Sequence, residues 1–156
     1  MSVYVGVVGA AAATPEEETV AEEVGRILAE RGAIVVCGGL GGVMAAACRG
    51  ARSAGGTTVG VLPGDDRAEA NPWVDVAIPT GMGEARNALV VRTSDALIAV
   101  GGEFGTLSEV ALALKIGRPV VGIGTWTLAH PKVSVDPVLR AGGAAHAVEL
   151  ALERIG

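Results

Sequence analysis

Residues 36–44 read VCGGLGGVM, and this stretch decides the fold. The apolar run that leads into it, residues 33–37, is too short for a helix and is typical of a buried strand. Four glycines then lead directly into residues 43–54, whose small apolar side chains indicate a helix. A strand that passes into a helix through a tight glycine turn is half of a βαβ unit.

The same alternation of strands and helices continues on both sides of this stretch. The apolar run at residues 3–8 predicts a strand. Thr14, Pro15 and Glu17 predict a helix start, because they supply an N-cap, a proline at the first helical position and the glutamate of a capping box. Gly32 is expected to end that helix. Further strands are expected at 57–62, 74–78, 96–100 and 119–123, and helices at 84–92, 106–116 and 144–155.

This order of elements predicts one domain, residues 1–156, of the α/β class. Strands that alternate with helices imply right-handed crossovers. We therefore expect a Rossmann-like, doubly wound parallel sheet of about six or seven strands with helices on both faces. Residues 124–143 show no clear periodicity and are interpreted either as a lid or as a covering loop.

The composition excludes several classes of function. Half of the 156 residues are apolar, but no apolar run reaches the ~18 residues that a membrane span requires. No secretory signal precedes Arg26, so we expect a cytoplasmic protein. The net charge of -5 has no basic stripe to offset it, which argues against nucleic acid as a partner. Cys37, Cys48 and the two histidines show no metal-ligand spacing, so no metal site is expected and the thiols are interpreted as free.

Two glycine turns follow predicted strands and precede predicted helices. Backbone N–H groups at helix N-termini are free to bind anions. Because parallel strands end at one edge of the sheet, the two turns are expected to bind one phosphorylated ligand, a nucleotide or a nucleotide-like cofactor. A single glycine cluster could merely permit a tight turn, but two at equivalent positions favour binding. The first glycine turn supplies Gly38, Gly39, Gly41 and Gly42, and Met44 follows it at the start of the predicted helix. The second glycine turn supplies Gly101, Gly102, Gly105 and Thr106.

Two better-known phosphate motifs are absent from the chain. The turn after the first strand reads GAAAA at residues 9–13, and no acidic residue ends the second strand, so the dinucleotide fingerprint is missing. No GxxxxGK[ST] pattern occurs either. NAD binding and a P-loop NTPase are therefore disfavoured.

Three polar residues near the predicted strand ends are candidates for the site. Arg86 can form a forked contact with phosphate, and Asn87 can hydrogen-bond the ligand or the loop, although an ordinary solvent-facing arginine is the alternative. Glu109 ends the sequence Thr106-Leu107-Ser108-Glu109, which has the pattern of a capping box. It is therefore either a helix cap or a carboxylate beside the ligand, placed to stabilise an oxocarbenium-like centre or to act as a base.

The motifs GGLGGVM, GGTTVGVLPG, EARN, SDALIAVGGEFGTLSE and KIGRPVV resemble those of the LOG (Lonely Guy) superfamily, which has carried a lysine decarboxylase label. Within it, the chain is most similar to the branch of molybdenum-cofactor carrier proteins. LOG enzymes release a base from nucleoside 5′-monophosphates and share the signature PGGxGTxxE and an arginine. On that signature, Arg86 matches the arginine and Glu109 the final glutamate. Gly102, Gly105 and Thr106 match the phosphate loop.

The resemblance implies two alternative functions. The carrier branch implies a non-catalytic protein that binds a phosphorylated ligand, either AMP-like or the molybdenum cofactor, and requires no further cofactor. The LOG enzymes imply N-glycosidic cleavage of AMP or a cytokinin riboside monophosphate, with Arg86 and Glu109 as catalytic residues. The signature proline is Gly101 here and one signature glycine is Glu103, so binding is favoured over hydrolysis.

Lysine decarboxylation is rejected, and self-association is expected. A pyridoxal-phosphate enzyme requires a Schiff-base lysine, and neither Lys115 nor Lys132 lies near a glycine turn in the sequence. The Ala-rich helices could pack across a symmetric interface, so we expect a homo-oligomer, either a dimer or a tetramer. The other expected partner is the small phosphorylated ligand, with neither nucleic acid nor membrane.

Overall fold

The structure, a computed structural model, describes residues 1–156 as seven strands and five α-helices. The strands are β1 (Tyr4–Gly9), β2 (Ile34–Cys37), β3 (Thr58–Leu62), β4 (Val76–Pro79), β5 (Ala96–Val100), β6 (Val120–Ile123) and β7 (Leu139–Arg140). The helices are α1 (Pro15–Glu30), α2 (Val43–Ser53), α3 (Asn87–Thr93), α4 (Phe104–Lys115) and α5 (Ala144–Arg154). Two 3₁₀ turns, Arg67–Glu69 and Gly83–Arg86, precede β4 and α3.

The seven strands form one sheet in the order β4-β3-β2-β1-β5-β6-β7, and every pair is parallel. The chain first builds outward from β1 to β4 and then crosses back to add β5 to β7 on the other side. The predicted α/β, Rossmann-like, doubly wound sheet is thereby confirmed. In such sheets a crevice opens where the winding reverses, here between the carboxyl ends of β1 and β5.

The register of β1 and β5 places two turns side by side at that crevice. Gly9, the last residue of β1, is paired with Val100, the last residue of β5. The chain therefore leaves both strands at the same level of the sheet. The β1–α1 turn and the second glycine turn (residues 101–106) lie next to each other as a result.

Helices cover both faces of the sheet, as predicted. Alternate residues of β1 point to opposite faces, so Val7 belongs to one apolar layer and Val8 to the other. On the first face α1, α2 and α5 pack on the sheet, and on the second face α3 and α4 do so. Helices α1 and α2 approach so closely that a Cβ on Gly50 would lie 1.8 Å from the carbonyl oxygen of Glu22. The small residues noted in α2 are what permits this contact.

The local predictions are largely confirmed, with corrections at the ends of elements. The Thr14–Glu17 capping box is present, with both hydrogen bonds formed. The helix predicted at 84–92 is a 3₁₀ turn followed by the shorter α3. Residues 124–143 contain the short strand β7, which two hydrogen-bonded residue pairs add to the sheet edge. No helix combines the length and the apolar character that crossing a membrane would require.

The interpretation of Thr106–Glu109 as a capping box is wrong. Helix α4 begins two residues earlier than predicted, at Phe104, and Glu103 occupies its N-cap position without a side-chain cap. Thr106 therefore lies inside the first turn of the helix, where its backbone is already helical. The positive φ angles of Gly101 and Gly102, 57° and 96°, turn the chain early enough for the helix to begin there.

Candidate functional site

A cavity of about 340 Å³ opens at the reversal of the winding, within the range typical of small-molecule sites. Its floor is the carboxyl end of β1, and its walls come from the turns after β1, β2 and β5 together with the start of α3. The cavity therefore lies where the fold predicts a ligand site. Of the residues predicted for the site, it is lined by Gly38, Met44, Arg86, Asn87, Gly105, Thr106 and Glu109.

Arg86 is the only cationic side chain that lines the cavity, and backbone carbonyls hold it in place. Its Nε donates to the carbonyl oxygen of Val61 at 2.9 Å, and Nη2 donates to that of Gly38 at 3.5 Å. Nη1 donates to Oδ1 of Asn87. A guanidinium has five N–H groups, so two remain for a ligand, one on each terminal nitrogen. Such an arginine can bind two oxygens of one phosphate.

Gly38 is the residue over which this guanidinium lies. A Cβ at this position would lie 2.7 Å from Nη2 of Arg86 and 2.8 Å from Sδ of Met44. Both contacts are closer than real Cβ atoms tolerate. The glycine therefore provides the space for Arg86 and Met44 to line the cavity together.

Glu109 faces the same cavity from α4 and is almost completely removed from water, with 8% of its surface exposed. Burial disfavours its charged form and raises the pKa of its carboxyl to about 7, against the opposing effect of the Arg86 guanidinium. A carboxyl with a pKa near neutrality can both accept and donate a proton at physiological pH. Glu109 is buried because α4 packs against the sheet, and this burial causes the shift of its pKa.

The second glycine turn brings the N-terminus of α4 to the cavity. Glu103, Gly105 and Thr106 line it, whereas Gly101 and Gly102 do not. Because α4 has no side-chain cap, the backbone N–H groups of Gly105 and Thr106 have no partner in the chain. These donors and the helix dipole favour an anion, whereas the Glu103 carboxylate disfavours one.

The first glycine turn (residues 38–42) mainly packs against other turns. The N–H of Val43, at the start of α2, donates to the carbonyl oxygen of Ala10 at 3.1 Å. A Cβ on Gly42 would lie 2.2 Å from that same oxygen. Gly39 packs against β3. Gly39, Gly41 and Gly42 do not line the cavity, so this turn contributes to it through Gly38 alone, together with Met44 beyond it.

The β1–α1 turn, residues 9–12, lines the cavity and was missed as part of the site. Its sequence, GAAA, has no side chain that signals chemistry. The signal lies in topology instead, because this turn follows the central strand at the point where the winding reverses. The order of strands is not readable from a single sequence, so the turn could not be recognised in advance.

Other groups with reactive side chains lie away from the cavity. Cys37 and Cys48 are buried free thiols whose sulfurs lie 3.4 Å apart. The hydrogen bond with Cys48, and then burial, raise the pKa of Cys37. Lys115 is the last residue of α4 and Lys132 lies in the loop before β7, and neither lines the cavity. No group of three or more His, Cys, Asp or Glu side chains is arranged to hold a metal ion.

The comparison with protein families identifies this architecture. The model of the SLOG cluster4 family matches residues 2–146. The chain belongs to this family. The resemblance of the sequence to the LOG superfamily is thereby confirmed. The match spans nearly the whole chain of this SLOG protein and includes every element that builds the cavity.

Relatives and solved structures agree with the assignment. The SLOG protein is 46% identical over 119 residues to an uncharacterized protein of Archaeoglobus fulgidus. The aligned residues cover 76% of this chain and 78% of that one. Its fold is similar to the molybdenum cofactor binding protein of Rippkaea orientalis, with a TM-score of 0.92 and 37% identity over 100% of this chain and 99% of that chain. It is also similar to the molybdenum cofactor carrier protein of Chlamydomonas reinhardtii, with a TM-score of 0.84 and 38% identity over 99% and 98% of the two chains. Similarity to carrier proteins over the full length supports a ligand-binding role.

Proposed function

We propose that this SLOG protein binds a phosphorylated, nucleotide-like cofactor in the cavity at the end of β1, as a carrier does. The similar structures are named for binding or carrying the molybdenum cofactor, so that cofactor is the leading candidate for the ligand, with AMP-like nucleotides second. The ligand is cargo in this proposal and takes no part in the chemistry of the chain.

The observation that supports the proposal most strongly is the position of Arg86. Two backbone carbonyls hold its guanidinium at the cavity while two of its N–H groups remain free. Gly105 and Thr106, whose backbone N–H groups are unpaired, line the same cavity. A phosphate placed between them would receive charge-assisted and backbone hydrogen bonds together, which is the usual way in which proteins hold phosphate esters.

The protonation of Glu109 favours the same ligand. Its pKa of about 7 means that a large fraction of the carboxyls is neutral at physiological pH. A neutral carboxyl does not repel a phosphate and can donate a hydrogen bond to it. The exposed Glu103 remains the one unfavourable charge at the cavity.

Titration with AMP, followed by calorimetry, tests the binding proposal. Arg86→Ala is expected to weaken binding by about 10- to 100-fold, because a hydrogen bond to a charged group contributes about 1.5–3 kcal/mol. Arg92→Ala is the matched control, since it removes the same charge from an exposed site on α3 that does not line the cavity. Binding that survives Arg86→Ala unchanged would contradict the proposal. Mass analysis of small molecules that copurify with the protein would identify the natural ligand.

A second candidate is phosphoribohydrolase activity, favoured by one observation. Arg86 and Glu109, which match the catalytic residues of the LOG enzymes, line one cavity, and the guanidinium is close enough to affect the pKa of Glu109. In this reaction water adds to C1′ of the ribose as the C–N bond breaks, and the base leaves with a proton. Glu109 would stabilise the positive charge at C1′ or take the proton from water.

Product analysis separates the two functions. The protein is incubated with AMP or isopentenyl-AMP, and free base and ribose 5-phosphate are measured. Release that disappears in Glu109→Gln would establish the hydrolase and refute a pure carrier. Saturable binding without release is the result that the carrier proposal predicts.

A further inference from the structure

Phe104 is the most exposed aromatic residue of the chain and lies between two residues that line the cavity. Phe104 is the first residue of α4, and 76% of its surface is exposed. Its neighbours on both sides, Glu103 and Gly105, line the cavity. The exposure leaves the phenyl ring accessible to a ligand, whose contact would remove its apolar surface from water.

Trp126 forms a pair with this phenyl ring. The ring centroids lie 5.3 Å apart with an interplanar angle of 44°, within the usual geometry of aromatic pairs. The indole N–H of Trp126 donates to the carbonyl oxygen of Glu103 at 2.9 Å. The hydroxyl of Thr125 donates to the carbonyl oxygen of Gly101. The loop after β6 is therefore fastened to the second glycine turn, and the pair is held beside it.

The cavity itself offers no aromatic surface. Its apolar lining consists of valine, alanine and methionine side chains only. Neither of the other two aromatic residues of the chain lines the cavity. Tyr4 begins β1 at the opposite end of the sheet, and Trp73 packs against Cys37, Met44 and Cys48 with the Arg49 guanidinium over its face at 5.1 Å. Phe104 is flanked by cavity residues in the chain, and Trp126 is hydrogen-bonded to one of them, Glu103.

We propose that Phe104, supported by Trp126, is the stacking surface for a flat heteroaromatic ring in the ligand. The proposal rests on the binding function proposed above and assigns a place in the site to the fused ring of such a ligand, a purine or a pterin. The phosphate lies at Arg86 and the N-terminus of α4, and the ring extends to Phe104. Stacking on an aromatic face accepts many rings, since every base presents a π-face.

Binding of ligands with and without a ring tests the stacking surface. The probes are AMP and 6-hydroxymethylpterin monophosphate, which carry a ring, and ribose 5-phosphate, which does not. The ring-bearing probe that binds wild type more tightly is used for the comparison. Phe104→Ala is expected to weaken the binding of that probe by about 10-fold and to leave the affinity for ribose 5-phosphate unchanged. Phe104→Tyr restores the affinity because it keeps the π-face. Val135→Ala, at a residue that is 73% exposed and does not line the cavity, is the control.

Fluorescence gives an independent readout of the same contact. In the Trp73→Phe background Trp126 is the only tryptophan. The ring-bearing probe is expected to quench its emission saturably, with a midpoint that matches the calorimetric one, whereas ribose 5-phosphate does not. Binding that is lost in Arg86→Ala but unchanged in Phe104→Ala would overturn the stacking proposal alone. Absence of binding by all three probes would overturn the stacking surface, and absence of molybdenum-cofactor retention as well would overturn the binding function.

Discussion

Replacing Glu109 with glutamine tests whether the carboxyl at the cavity is buried and largely protonated. The substitution removes the titratable group and nearly preserves the shape of the side chain. In the folded protein burial raises the pKa of Glu109 to about 7 from its ordinary value of 4.5. The folded state therefore binds this proton more tightly than the unfolded chain does. Stability from this group is fully present below pH 4.5 and is lost as the pH rises toward 7 and beyond.

The size of the effect follows from the two pKa values. At about 1.36 kcal/mol per pH unit, the difference between 4.5 and about 7 corresponds to about 3 kcal/mol at a pH well above 7. Glutamine is neutral throughout and does not incur this cost. The free energy of unfolding of Glu109→Gln, relative to wild type, is therefore expected to rise by about 2–3 kcal/mol between pH 5 and pH 8.

Urea denaturation at a series of pH values, in buffers without phosphate, measures this difference. Glu103→Gln is the matched control, because its side chain lines the same cavity but is exposed. For the control the difference from wild type is expected to change by less than about 0.5 kcal/mol over the same range. A difference for Glu109→Gln that is equally flat would refute the assignment of a buried, largely protonated carboxyl.

Two substitutions of glycine test the packing that shapes the site. Gly38→Ala is expected to displace the Arg86 guanidinium and weaken AMP binding by about 10-fold or more; Gly41→Ala, whose Cβ meets nothing closer than 3.7 Å, should bind as wild type does in the same calorimetric titration. Gly50→Ala is expected to force α1 and α2 apart and to lower the free energy of unfolding by about 1–3 kcal/mol. Gly142→Ala, which has open space around it, serves as its control in urea denaturation, and equal stabilities of the two variants would contradict the close contact.

The fold was largely predictable from the sequence because its signals are local. Capping residues set the start of α1, and short apolar runs between turns marked six of the seven strands. The exception is β7, whose two residues depend on pairing with β6 and carry no pattern of their own. The start of α4 was misjudged because the TLSE sequence fits a capping box, whereas the φ angles of Gly101 and Gly102 begin the helix sooner.

The lining of the cavity was easier to predict from polar side chains than from backbone turns. Arg86 and Glu109 come from different elements, yet both line the cavity. In the first glycine turn only Gly38 lines the cavity. Glycines that permit a turn to pack against Ala10, such as Gly42, look the same in a sequence as glycines that bind phosphate. The β1–α1 turn lines the cavity through topology alone. The order of the strands in the sheet decides which turns line the cavity, and this order cannot be read from a single sequence.

Retention of the molybdenum cofactor tests the proposed carrier function most directly. The protein is incubated without oxygen with cofactor released from a molybdoenzyme and passed through a desalting column, and the molybdenum bound per chain is then measured by mass spectrometry. We expect about one molybdenum per chain for wild type and for Arg92→Ala, and a loss of about 10-fold or more for Arg86→Ala. Molybdenum retained equally by Arg86→Ala, or by none of the three proteins, would contradict the proposal that this cavity carries the cofactor.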